Sequence, residues 1–270
     1  MSRFTGVATS NENQFRSHCT YTVGVQPAVS TSELEVRYDD KVAITDVSLQ
    51  LPEASSLAVI GPNGSGKSTL LHAIAGLVEP SAGTVRRNAG SPALVLQATE
   101  VDRGLPITVR DTVSLARYPS VGLFGRFRAE DRAAVAEAMA RLDITDLSRR
   151  QLHELSGGQR QRVLVAQGLA QDTNVLLLDE PVNGLDVTSR AVILEVIDAE
   201  VASGRAVVVT THNLDDARRC DQVLLLDTAP IALGAPDEVL TEHHLRAAFG
   251  GRFVRAAAEL LLDDPHHHDE

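Results

Sequence analysis

The sequence predicts an α/β fold with a mostly parallel sheet. Short apolar runs typical of buried strands recur along the chain, apolar residues at helical spacing separate them, and a Gly-rich turn directly follows one run. Hydrophobic residues make up 43% of the 270 residues, which is enough for a sizeable core. Aromatic residues make up only 3%, so we expect that core to be aliphatic.

The N-terminal half contains the first predicted elements. Residues 1–30 are rich in Ser, Thr, Asn and Gln without sustained periodicity, which predicts a flexible extension. Apolar residues then alternate around Val36 and again around Thr45, which predicts two short strands. Residues 57–60 form a compact apolar run of the kind found in buried parallel strands. Helical spacing over residues 70–75 predicts a helix after the Gly-rich turn.

The rest of the chain alternates between helical and strand patterns. Residues 98–165 show a mostly helical pattern, apart from a turn-prone stretch at 118–125. This pattern predicts an inserted helical subdomain. Strands and helices then alternate, which favours a parallel sheet. Beyond residue 250 we expect a short, partly helical tail. The predicted later strands cover 175–178, 206–210 and 223–226, with a helix through 192–197.

Composition narrows the classes of function. The net charge of −11 argues against a surface that coats DNA or RNA. Cys19 and Cys220 are too few for a disulfide or metal framework and suit a reducing compartment. No apolar run approaches the ~18 residues that span a bilayer, and the N-terminus lacks the apolar segment of a secretory signal. We therefore expect any membrane role to depend on a partner.

Residues 61–69 read Gly-Pro-Asn-Gly-Ser-Gly-Lys-Ser-Thr and satisfy the pattern Gly-x-x-x-x-Gly-Lys-Ser/Thr. Glycines let backbone N–H groups approach phosphate oxygens, and a helix N-terminus adds partial positive charge. We expect Lys67 to reach the β and γ phosphates and the Ser68 hydroxyl to ligate Mg²⁺. The predicted nucleotide contacts are Gly61, Pro62, Asn63, Gly64, Ser65, Gly66, Lys67, Ser68 and Thr69.

Asp179 and Glu180 directly follow the apolar run 175–178. They are therefore expected at the carboxyl end of a sheet strand, where open α/β sheets bind ligands. An aspartate there can hold Mg²⁺ through water, and the next glutamate can act as general base on an attacking water. An ordinary acidic turn is the alternative, but the phosphate loop at 61–69 favours the hydrolytic interpretation.

Residues 155–159 read Leu-Ser-Gly-Gly-Gln, and we call them the signature segment. Together with the two preceding motifs, this segment makes residues 32–247 similar to the nucleotide-binding subunit of ATP-binding cassette (ABC) transporters. The resemblance implies a P-loop NTPase sheet core with an N-terminal antiparallel β subdomain and an inserted α-helical subdomain. It places the ATP-binding domain at 31–247 and a tail at 248–270. In that family two subunits pair head to tail, and each signature segment closes on the ATP held by the opposite subunit.

The resemblance also implies roles for residues outside the phosphate loop. Gln97 matches a glutamine that touches Mg²⁺ and links to the membrane subunit, and His212 matches a histidine that contacts the γ-phosphate. Tyr38 lies where the family places an aromatic that stacks on adenine. Without the family context, Tyr38 would be a strand residue packed in the sheet and His212 a surface histidine. The implied catalytic residues are Glu180, His212 and Gln97, the metal ligands Ser68, Gln97 and Asp179, and the contacts from the signature segment Ser156, Gly158 and Gln159.

Two positions depart from the family pattern. Ala166-Gln167-Gly168 stands where many relatives have an Arg, and Gly168 is expected to weaken its helix slightly. Asn183-Gly184 stands where many relatives have Ser-Ala. We expect neither departure to touch the phosphate chemistry, so both should bear on subunit packing.

The resemblance extends to cargo and partners. Residues 109–113 and the segment around Glu180 are most similar to the subfamily that moves manganese, zinc or iron, whereas residues 169–173 are similar to iron-siderophore importers, the alternative cargo. The implied partners are membrane permease subunits, a second copy of the chain and an extracytoplasmic substrate-binding protein. The implied location is the cytoplasmic face of the membrane, with ATP and Mg²⁺ as ligands.

Other classes remain as alternatives. A soluble ABC ATPase acting on nucleic acid or ribosomes is disfavoured by the single cassette, by the lack of a long coiled-coil insertion and by the acidic charge, so no nucleic-acid partner is expected. A non-hydrolysing binding module would be expected to lack Glu180 or His212. The terminal His266–His268 could bind Zn²⁺ weakly, but a solvated tail is the favoured interpretation.

Overall fold

The computed structural model describes residues 26–88, 90–97, 106–122, 125–250, 253–256 and 259–262. Residues 1–25 of the predicted N-terminal extension and the three terminal histidines lie outside the described residues. The prediction that the extension reaches residue 30 is wrong, because a strand begins at Val29, which is buried. The strands of the structure are β1 (Val29–Tyr38), β2 (Lys41–Leu51), β3 (Ser56–Ile60), β4 (Ala82–Arg87), β5 (Ala93–Val95), β6 (Val175–Leu178), β7 (Ala206–Thr210), β8 (Gln222–Asp227), β9 (Ala229–Gly234), β10 (Phe253–Ala256) and β11 (Glu259–Leu262).

Helices lie between these strands, and short 3₁₀ turns occur at Leu115–Arg117, Thr145–Leu147 and Leu152–Glu154. No helix among the described residues is long and apolar enough to cross a membrane. The helices are α1 (Lys67–Ala75), α2 (Val109–Ser114), α3 (Tyr118–Val121), α4 (Ala129–Arg141), α5 (Gly157–Ala170), α6 (Val187–Ala202), α7 (Leu214–Arg218), α8 (Pro236–Val239) and α9 (Glu242–Phe249).

The central sheet has the strand order β5-β6-β7-β3-β8-β9. All its neighbours are parallel except β8 and β9, which confirms the predicted α/β class. Because β7 lies between β3 and β6, the carboxyl ends of three strands distant in sequence meet at one edge. A second sheet, with the order β2-β1-β4, is antiparallel and forms the predicted N-terminal β subdomain.

The core is aliphatic, as the composition predicts, and lies on both faces of the central sheet. On one face, β1, β2 and α1 pack against β3, β6 and β7. On the other, α2, α4, α5 and α6 pack against β5, β6 and β7, so that the helical insertion shares a core with the central sheet. β3, β6 and β7 are buried along their whole length, which explains why they read as continuous apolar runs.

The sequence predictions fail mainly where strands are poorly buried. β4 and β9 were not predicted, because exposed and half-exposed residues dominate both and leave no alternation to detect. The expectation of a partly helical tail is wrong, since β10 and β11 form an antiparallel pair. Within the predicted turn at 118–125, the first four residues instead form α3, with a proline in its first turn.

Candidate nucleotide site

The phosphate loop connects β3 to α1 through two tight backbone approaches. A Cβ atom on Gly61 would lie 2.0 Å from the carbonyl oxygen of Leu226, and one on Gly66 would lie 2.2 Å from Cγ2 of Ile44. Gly66 also has a φ of 97° directly before the first residue of α1. Glycine is therefore required at both positions, and the predicted order of strand, Gly-rich turn and helix is confirmed.

Lys67, the first residue of α1, is buried. Its Nζ donates hydrogen bonds to the carbonyl oxygens of Gly61 at 2.8 Å and Pro62 at 3.1 Å. Burial lowers the pKa of Lys67, while the negative charges of Glu180 and Asp179 act in the opposite direction. A buried ammonium group that rests on neutral carbonyl groups, with carboxylates nearby, can receive an anionic ligand.

Ser65 and Ser68 complete the polar lining of the loop. The Ser65 hydroxyl oxygen is buried and has no hydrogen-bond partner among the described atoms. Ser68 lies in the first turn of α1 and is exposed. A serine hydroxyl and the carboxylate of Asp179 supply the hard oxygen ligands that Mg²⁺ prefers, so these residues fit the ion that the resemblance implies.

Asp179 and Glu180 lie at the end of β6 and are fixed by the neighbouring strands. The Asp179 N–H donates to the carbonyl oxygen of Val95 at 2.9 Å, which joins the end of β6 to β5. On the other side, the buried Thr210 at the end of β7 donates its hydroxyl to Asp179 Oδ1 at 2.6 Å and accepts the Glu180 N–H at 2.8 Å. One threonine therefore orients both acidic residues.

Sequence reasoning did not identify Thr210 as a site residue. The available signal was its place at the end of an apolar strand two residues before His212, but adjacency of β6 and β7 cannot be read from the sequence.

Glu180 and His212 line a common pocket of about 110 Å³. His212 is exposed, and Glu180 has a φ of 47°, in the left-handed region. Asn183 Nδ2 donates to Glu180 Oε2 at 2.8 Å. Asn183 therefore contacts the predicted base, a contact that the sequence prediction did not include. The lining residues are Glu180, Val182, Asn183, Gly184, Leu185, Arg190, Thr210, Thr211, His212, Asn213 and Asp216.

The signature segment lies at the start of α5. Ser156 caps this helix: its Oγ accepts the Gln159 N–H at 3.2 Å, and Gln159 Oε1 accepts the Ser156 N–H at 3.1 Å. Ser156 and Gly157 are exposed. None of the signature residues lines the pocket at Glu180 within the described part of the chain.

The start of α6 supports the signature segment. A Cβ on Gly158 would lie 2.6 Å from Ser189 Oγ and 2.7 Å from Asp186 Oδ2. Asp186 caps α6 by accepting the Ser189 N–H at 2.9 Å, and this hydrogen bond is the main reason that the pKa of Asp186 is lowered. The loop of residues 183–186 therefore runs from the pocket at Glu180 to the signature segment.

The remaining predicted residues lie at the margins of the site. Gln97 is exposed two residues beyond β5, at the same sheet edge as Asp179. Tyr38 is the last residue of β1, and 46% of it is exposed, so it is not buried in the sheet.

Comparisons with known proteins agree with this geometry. Residues 44–183 match the family described as ABC transporter. The chain is 38% identical over 234 residues to the manganese transport system ATP-binding protein MntB of Listeria innocua, which covers 83% of this chain and 97% of that protein. It is 36% identical over 255 residues to the chelated iron transport system membrane protein YfeB of Yersinia pestis, which covers 90% and 86%.

A solved structure gives the same result. An inward-facing ABC transporter assigned to the metal-chelate type superposes with a TM-score of 0.76 at 28% identity, covering 87% of this chain and 95% of that one. The fold and the site define a P-loop ATPase. The chain belongs to the ABC transporter family, and it is an ATP-binding subunit whose ATP hydrolysis is coupled to transport through membrane permease subunits.

Proposed function

We propose that two copies of this chain form composite ATP sites and that hydrolysis there powers uptake of manganese, zinc or iron. The observation that carries the composite site is the separation of its parts. The phosphate loop, Glu180 and His212 lie at the carboxyl ends of β3, β6 and β7, whereas Ser156 and Gly157 of the signature segment are exposed and none of its residues lines the pocket at Glu180. A second copy, placed head to tail, supplies the missing segment.

The residues divide the chemistry between them. Lys67 and the backbone N–H groups of the phosphate loop hold the β and γ phosphates, and Tyr38 stacks on adenine. Mg²⁺, held by Ser68, Asp179 and Gln97, neutralises phosphate charge when bound. Glu180 accepts a proton from the attacking water and His212 contacts the γ-phosphate. The contacts of the second copy are Ser156, Gly158 and Gln159.

Glu180→Gln tests this assignment. We expect hydrolysis to fall by about 10²–10⁴-fold, because the base is lost, while the contacts to phosphate remain and ATP traps a dimer. Size-exclusion chromatography with ATP and a phosphate-release assay measure the two effects. Glu195→Gln, at an exposed position on α6, is the matched control. A monomeric, fully active Glu180→Gln variant would refute the proposal.

The metal cargo is supported by the relatives. MntB is named for manganese and YfeB for chelated iron, so a siderophore or other iron chelate is the second candidate. The proposed system also includes an extracytoplasmic substrate-binding protein, and this chain lies peripherally at the cytoplasmic face of the membrane. The cellular content of manganese, zinc and iron should be measured after deletion of this chain. Complementation with the wild-type chain, but not with Glu180→Gln, should restore the cellular content of one of these metals.

A further inference from the structure

We propose that Asn183 is a positioning residue that holds the carboxylate of Glu180 for proton transfer, an inference that rests on the proposed role of Glu180 as base. Two hydrogen bonds join the residues. Asn183 Nδ2 donates to Glu180 Oε2 at 2.8 Å, and the Asn183 N–H donates to the Glu180 carbonyl oxygen at 3.3 Å. Side chain and backbone of Asn183 therefore bind the same glutamate.

The carboxylate has no other hydrogen-bond partner among the described residues. Thr210 accepts the Glu180 N–H and so fixes its backbone, but this contact leaves the side-chain torsions free. A glutamate loses considerable rotamer freedom when it is held in one orientation. The amide of Asn183, at a normal hydrogen-bond distance, selects that orientation.

The amide also distinguishes the two oxygens of the carboxylate. Nδ2 carries only donor hydrogens, so it engages Oε2 and leaves Oε1 available. Oε1 then accepts the proton of the attacking water while the water oxygen bonds to the γ-phosphorus. The bond from this phosphorus to the oxygen that bridges to ADP breaks, and ADP leaves with that electron pair. Asn183 itself exchanges no proton.

The 183–186 loop is anchored at its far end as well. Asp186 caps α6 and lies beside Gly158 of the signature segment, and Arg190 in the first turn of α6 pairs with Asp216 of α7 at 2.5 Å. Asn183 therefore lies in a loop that contacts Glu180 at one end and the signature segment at the other. The same contacts make Asn183 the point where the signature region and the base are connected within one subunit.

Asn183→Asp tests the proposal because it keeps the shape but replaces the donor with a like charge. We expect kcat for ATP hydrolysis by the full chain to fall about tenfold or more, the size associated with one hydrogen bond to a charged group. KM for ATP should stay within about twofold, because the amide bonds to Glu180 and not to the phosphate loop. Asn183→Ser, which retains a shorter donor, should recover part of kcat. Asn174→Asp, exposed at the opposite end of β6, is the matched control.

A double variant separates positioning from folding. In the Glu180→Gln background, Asn183→Asp should cause no further fall in kcat and should leave the ATP-trapped dimer intact. Unchanged kcat in Asn183→Asp, or loss of the trapped dimer in the double variant, would overturn the positioning role while Glu180 remains the base. A fully active Glu180→Gln variant would instead remove the base assignment and this inference together. Asn183→Ser replaces Asn183→Asp if thermal melting shows that the latter unfolds.

Discussion

Two helices of this chain begin in Gly-containing segments with opposite local structures. α1 begins after Gly66, which has no side-chain cap, and its first residue Lys67 is buried. α5 begins after Ser156, whose hydroxyl closes a capping box with Gln159, and Ser156 is exposed. Each helix start carries partial positive charge, but of the two only α5 has a side-chain acceptor for one of its first N–H groups.

This difference explains why the two segments have different partners. The start of α1 combines the buried ammonium group of Lys67 with the unpartnered buried hydroxyl of Ser65, so one subunit contains most of an anion site. At the start of α5 the Ser156 hydroxyl accepts the Gln159 N–H, and Ser156 and Gly157 are exposed. In the proposed composite site, the first segment holds ATP within one subunit and the second contacts the ATP held by the other subunit.

The largest expected effect comes from removing the buried charge at α1. Lys67→Ala should weaken ATP binding by about 100-fold or more, because the phosphates lose a charged donor in a buried loop. Titration calorimetry with ATP measures the loss. Arg132→Ala, which removes an exposed positive charge on α4, is the control and should bind normally. Wild-type affinity in Lys67→Ala would contradict the assignment of residues 61–69.

A smaller and more selective effect is expected at α5. Ser156→Ala should leave ATP affinity nearly unchanged but lower hydrolysis about tenfold, since a hydrogen bond to the phosphate of the opposite subunit is lost. Mixing Ser156→Ala with Lys67→Ala should restore part of the activity, because a mixed dimer contains one site with an intact phosphate loop and an intact signature segment.

The control for the mixing experiment uses the double variant that carries both changes. Mixed with Lys67→Ala, it cannot assemble an intact site, so activity should stay at the level of Lys67→Ala alone. Equal recovery in both mixtures would show that α5 of one subunit does not act on ATP held by the other.

The same contrast explains what could be predicted from the sequence. The phosphate loop could be predicted because its glycines, its lysine and the flanking strand and helix are consecutive in the sequence. The structure confirms the order of strand, Gly-rich turn and helix. Thr210 and Asn183 were missed as contacts of the acidic pair. The bond between Thr210 and Asp179 spans 31 positions and exists only because β7 lies next to β6. The bond of Asn183 depends on how a loop turns back after Glu180, which motif matching does not describe.

Gly168 shows a prediction that was sound in part. Glycine generally lowers the stability of a helix, as the sequence analysis expects. However, no larger residue fits at this position, because a Cβ there would lie 2.4 Å from Val95 Cγ2. The glycine lets α5 approach β5, so it has a packing role inside the subunit. Helix propensity was visible in the sequence, whereas the close approach of α5 to a strand distant along the chain was not.

The smallest expected effect separates the two glycines of the signature segment. Gly158→Ala should lower the free energy of unfolding by about 1–3 kcal/mol, because its new methyl group would overlap Ser189 and Asp186 at the start of α6. Gly157→Ala should leave stability unchanged or slightly higher, since a Cβ there meets no atom within 4 Å and alanine favours a helix. Urea unfolding of the two variants measures the difference. Equal stability would mean that α5 is not seated on α6 through Gly158, and the link from Glu180 to the signature segment would then end at Asp186.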